Sequence, residues 1–179
     1  VFMLLFFKMP AKTAHGLFYL LHPVHVFLSA LVTGVMYKKH ILGFGKKDVI
    51  GLLLVGYFGS IGIATLSDSL IPYLGEVVFD LPNRGMHLGF IEEWKIVNTA
   101  AIAGIIAVFF LPGSKIPHAG HVLLSTWASL FHVIMALGRE VTFGLMAGIF
   151  VFLFLSVWLP CCLSDIVFPL LFVKRGKNA

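Results

Sequence analysis

Two pairs of histidines and two aspartates carry most of the chemistry this chain could perform. His22 and His25 stand in the run HPVHVFLS, and His118 and His121 stand in HAGHVLLS, 96 residues later. Both runs read HxxHVxLS. Asp68 lies in LSDSLIPYL and Asp165 in LSDIVFPLL, 97 residues later, and both runs read LSDxxxPxL. Histidines three residues apart share one face of a helix, and Ser29 and Ser125 continue that face in the two copies. Imidazole and carboxylate together suit a divalent transition metal such as Zn, Fe or Mn. Two His and one Asp per copy make a ligand set with open positions, so His22, His25, Asp68, His118, His121 and Asp165 are the expected metal ligands. Imidazole also titrates near neutral pH, which makes coupling to protons chemically easy.

A second chemistry competes with the first. His118 and His132 are 14 residues apart, about 21 Å along a helix, and His25 and His40 are 15 apart. That spacing resembles cytochrome b proteins, whose helices hold two haems through axial histidines. It implies a b-type haem electron-transfer subunit with His25, His40, His118 and His132 as candidate ligands. Against it, His40 follows Lys38 and Lys39 and reads as a loop residue, and haem leaves Asp68 and Asp165 without a task. A membrane-embedded metal-dependent enzyme acting on lipid or quinone is a third reading, and a structural subunit of a larger complex a fourth. No phosphate-binding glycine loop, dinucleotide fingerprint, HExxH or GxSxG motif occurs.

The elements that must position these residues are membrane helices. Of 179 residues, 59% are hydrophobic and 12% charged, and the mean hydropathy is +1.00. A water-soluble domain carries about twice that charge. The net charge of +5 sits in loops and ends, where it sets topology; no basic stripe for nucleic acid exists. Cys161 and Cys162 are adjacent and provide no disulfide framework. A span needs about 20 apolar residues. The apolar runs 17–37, 49–79, 96–111, 121–138 and 141–173 predict about five spans in one all-α transmembrane domain. Two of these, 49–79 and 141–173, are overlong and hold Pro72 and Pro169, where a helix break is expected. Pro23 suits a first helical turn, which would put His22 and His25 near the membrane surface. Asp80–Lys95 reads as a solvated connection, with Glu76, His87, Glu92 and Glu93 around it and Trp94 as an interface anchor.

Two ordered motif matches at nearly equal offset, built on rare polar residues, indicate an internal repeat. Unit A covers about 17–79, a connecting span 82–111, and unit B about 113–175. Three spans from one copy to the next imply inversion in the membrane, an arrangement that recurs in secondary transporters. The expected function is therefore movement of a cation, a divalent metal or a proton-coupled ion. With the N-terminus outside, the inner loops carry eight Lys and Arg and the outer ones five, which predicts a cytoplasmic C-terminus in a multi-pass protein of the cell (inner) membrane. Five spans are few for a path, so a homodimer or membership of a larger membrane complex is expected.

Overall fold

The computed structural model describes residues 9–41, 45–110, 116–138, 140–162 and 167–172, and for Lys46, 116–118, Cys161, Cys162 and Pro169 the backbone alone. Asp165 therefore lies outside the described residues, as does the side chain of His118. The chain is an all-α membrane bundle. Its elements are α1 (Ala11–His40), α2 (Lys46–Thr65), a π-helical turn (Leu66–Leu70), α3 (Ile71–Val78), α4 (Gly89–Glu92), α5 (Trp94–Ala107), α6 (Ile116–Ala136), α7 (Phe143–Cys162) and α8 (Phe168–Leu171). Four stretches are long and apolar enough to cross a membrane: Ala11–His40, Lys47–Val78, Ala119–Ala136 and Phe143–Pro160. The expected third span is shorter, Trp94–Ala107.

Local chemistry explains the ends. The Gly45 N–H donates to the Asp48 carboxylate at 2.8 Å, closing the first turn of α2. Lys38, Lys39 and His40 crowd the last turn of α1, where cations oppose the negative end of the helix dipole.

α1 is the central post, flanked by α2, α5 and α6. Contacts fix the directions. Tyr37 lies against Gly51 and Thr33 against Gly59, so α2 runs antiparallel to α1. Phe27 and Ala30 meet Gly104 while Gly34 meets Val108, so α5 runs parallel to it. A Cβ at Gly104 would strike the Phe27 carbonyl; only glycine lets these backbones approach so closely. His25 lies on His121 and Phe18 on His132, so α6, which carries the second HxxH, runs antiparallel to α1. One end of the bundle thus gathers the start of α1, the 79–93 connection and the end of α6. The opposite end gathers Lys38, Lys39 and Lys47.

Polarity is inside out relative to a soluble protein. Phe58, Phe150, Phe154 and Trp158 are exposed, whereas His22, His25, Asp68, Glu76, His121 and His132 are all at most 1% exposed. A lipid environment accounts for both halves of that pattern.

Two expectations about proline fail. α1 begins at Ala11 and runs through Pro23, so His22 sits about 17 Å into a helix about 45 Å long, far from its end. Pro23 lacks the N–H that would bond the Tyr19 carbonyl, but a membrane helix packed on neighbours tolerates that loss. Nor does Pro72 break the overlong second span. The adjustment falls before it, at Leu66–Leu70, where the Ile71 N–H bonds back to the Leu66 carbonyl, five residues behind. One wide turn absorbs the missing donor of Pro72 and leaves the helix continuous. Val167, 97 residues after Leu70, is again wound as π-helix.

Candidate functional site

The π turn delivers Asp68 to the interior. Its carboxylate is wholly buried and collects four donors. His22 Nδ1 and His25 Nδ1 donate to Oδ2 at 2.9 and 2.7 Å. Ser67 Oγ and Ser125 Oγ donate to Oδ1 at 2.7 and 3.3 Å. The donors come from α1, from the π turn and from α6, so the aspartate pins three elements together. Ser129 adds a further tie by donating to the Ser67 carbonyl at 3.0 Å.

The expected ligand trio His22, His25 and Asp68 is thus one cluster, with an internal order of its own. The carboxylate bonds the imidazoles, and that bond fixes the hydrogen on Nδ1. Two rings whose Nδ1 atoms converge on one oxygen turn their Nε2 atoms apart. Among the described residues, His22 Nε2 and His25 Nε2 have no hydrogen-bond partner, and no group of three or more His, Cys, Asp or Glu is arranged to hold one metal ion. The His22 ring stacks on Phe18, with centroids 5.4 Å apart. Its other edge meets Gly89, where a Cβ would come within 2.6 Å of Nε2. The His25 ring stacks on His121 at 4.6 Å.

A second buried pair lies closer to the His87 end. His132 Nδ1 donates to Glu76 Oε1 at 2.7 Å, and the Gly85 N–H donates to Glu76 Oε2 at 3.2 Å. His132 Nε2 has no partner among the described residues. The Phe18 ring stands between the two clusters, edge-on to His132 at 5.4 Å. From His132 a string of rings leads outward: His87 at 5.5 Å, then the exposed His15 a further 6.0 Å on. Tyr19 Oη lies 3.4 Å from His87 Nδ1, and Glu92 lies 3.6 Å from the same nitrogen. Burial, with His132 and His15 nearby, pushes the His87 pKa below the ordinary imidazole value.

Charge balance defines what this interior can do. Among the described residues, two carboxylates are buried beside four imidazoles, and no Lys or Arg is buried with them. Ionised acids at membrane depth are costly without a compensating charge. The cluster is neutral only when it holds protons, or another cation, on groups that can release them.

Of the haem candidates, His40 ends α1 and is exposed at the far end, with Nδ1 on the Met36 carbonyl at 2.8 Å. His25 and His132 each donate Nδ1 to a carboxylate, as metal-ligating histidines commonly do.

The sequence reading missed the Glu76–His132 pair. Its signal was available: Glu76 lies eight residues after Asp68 in an apolar run, and His132 eleven after His121 on the same polar stripe. The contact of Gly89 with His22 had no signal. Compared with protein-family models, with curated proteins and with solved structures, the chain matches none.

Proposed function

We propose that this chain carries protons, alone or in exchange for another cation, across the membrane that holds its helices. The observation that supports this reading is the buried set Asp68, Glu76, His22, His25, His121 and His132, with no Lys or Arg buried beside it among the described residues. The set reaches the surface through His87 and His15, so a proton has titratable groups from the outer end of the bundle to its middle. Histidine exchanges protons near neutral pH, and His22, His25 and His132 are each oriented by a carboxylate. A proton passing between the two clusters goes round the Phe18 ring, through water or by movement of that ring.

A divalent metal is the alternative cargo, and the Nε2 atoms of His22, His25 and His132 are what favour it, since neutral Nε2 is a good ligand. The two motif copies are read as an inverted repeat, because α1 and α6 are antiparallel. By the Lys and Arg count the lysine-rich end and the C-terminus face the cytoplasm of a cell (inner) membrane. A homodimer or a larger complex is the expected assembly.

The test is a liposome assay with the purified protein, a pH-sensitive dye inside and an imposed pH gradient or membrane potential. Proton entry above that of empty liposomes, abolished in Asp68→Asn, is expected. Zn, Mn or Fe added outside separates the cargoes, since metal-dependent proton movement marks exchange. Flux equal to empty liposomes under every gradient and with every metal overturns the reading. Tags at Gly45 and Asn83 test the orientation: Asn83 in the cytoplasm would reverse it.

A further inference from the structure

Three hydroxyls near Asp68 lack what their neighbours have. Ser60, Ser67, Ser129 and Ser156 each donate to a backbone carbonyl, and Ser125 donates to Asp68. Ser29 Oγ, Thr65 Oγ1 and Ser69 Oγ are buried to the same degree and have no partner among the described residues. A serine or threonine inside a membrane helix ordinarily bonds its own backbone one turn back. A buried polar atom that does not is usually satisfied by ordered water.

Two of these hydroxyls, those of Ser29 and Thr65, lie on one side of Asp68. Ser29 lies one turn beyond His25 on the same face of α1. Thr65 lies three residues before Asp68 on the antiparallel α2. Both are therefore on the side of Asp68 away from His87, toward Lys38, Lys39 and Lys47. Thr33 continues the Ser29 face by one more turn, and its methyl group and the Phe168 ring both pack against Gly59. Past the His25–His121 contact the polar groups on this side of Asp68 are thus hydroxyls, set beside the apolar cluster of Leu31, Tyr37, Leu52, Val55, Ile105 and Val108. Those two rings are stacked, with planes 28° apart, and ring N–H bonds lie in the ring plane. Neither nitrogen aims at the other ring, so passage from one to the next needs an intermediary at the ring edges.

We propose that Ser29 and Thr65 hold ordered water that continues the path from the His25–His121 contact toward the lysine-rich end. This rests on the proton reading of the Asp68 cluster. In the step itself a water accepts the proton of an imidazolium Nε2–H and passes one of its own to the next water. The imidazole is left neutral and the charge moves on.

Water-edited solid-state NMR of the whole protein in lipid reads the water directly. Magnetisation from water is expected to reach Ser29 Cβ and Thr65 Cβ as fast as exposed side chains, and to reach the equally buried Val26 and Ala64 slowly. Ser29→Ala with Thr65→Val should lower proton flux about tenfold, the effect of one lost hydrogen-bonded station on a barrier, with the His22 and His25 Nδ1 signals unchanged. If that variant fails to fold, the wild-type spectra still decide. Dry hydroxyls in a protein that carries protons overturn the water path and leave the transport reading standing. Wet hydroxyls in a protein with no flux remove the transport reading and with it the role given to the water.

Discussion

The two carboxylates buried among the described residues are held in different ways. Asp68 takes four side-chain donors from three elements, and each of them belongs to the helical frame. Glu76 takes one side chain, His132, and one backbone amide, that of Gly85 in the outer connection. Asp68 is built into the frame, whereas Glu76 ties a loop to it. A group with four donors from rigid helices is fixed in place. A group that shares a loop amide can change partners when the loop moves. The deep site is thus a fixed part of the frame, and the outer site is free to follow its loop.

Four outcomes would break or sharpen that contrast. Asp68→Ala strands two imidazole and two hydroxyl donors and should cost ~3–5 kcal/mol of bundle stability, read as the midpoint of unfolding in mixed detergent micelles. A loss below about 1 kcal/mol would mean that Asp68 does not pin the frame. Glu76→Ala should cost less, ~1–3 kcal/mol, and act locally. Hydrogen exchange at Gly85 and across 81–88 should quicken while the His22 and His25 signals stay put. Unchanged exchange at Gly85 would remove the loop tie. Ser125→Ala deletes the longest of the Asp68 bonds, 3.3 Å, and should cost only ~0.5–1.5 kcal/mol; a loss equal to that of Asp68→Ala would make α6 the chief support of the site.

The smallest effect concerns His87. Folding lowers its pKa, so as pH falls the unfolded chain takes up this proton first. Its contribution to stability is whole above the ordinary imidazole value and is lost as pH drops through the lower, folded value. His87→Gln should flatten the fall of the unfolding midpoint over that interval. An identical slope in the variant would show that His87 titrates normally and that the mouth is open to water.

The deep site was legible in the sequence because it repeats. HxxH and LSD stand out in an apolar chain, and a second copy of each turned two rare patterns into one unit. The order inside the unit was not legible. Spacing brings His22, His25 and Asp68 together but does not say that the carboxylate would bond both rings. The π turn was invisible too, since Pro72 announces a disturbance without fixing which turn absorbs it. Pro23 misled for a related reason: proline at a helix start and proline inside a packed membrane helix look alike in sequence. The outer pair escaped because Glu76 and His132 lie outside the two repeated motifs.

The order in which these partners are made carries a consequence for biosynthesis. His22 and His25 precede Asp68 in the chain, by 46 and 43 residues, so they have left the ribosome when Asp68 enters the bilayer. Glu76 follows eight residues later, and its partner His132 lies 56 residues further on. For the time needed to translate that interval, Glu76 lacks the His132 imidazole. A carboxylate in lipid is costly without its partner, so the pair is complete only when α6 arrives. The hairpin of α1 and α2 can settle as soon as it is made, while the outer site waits for the second half of the protein.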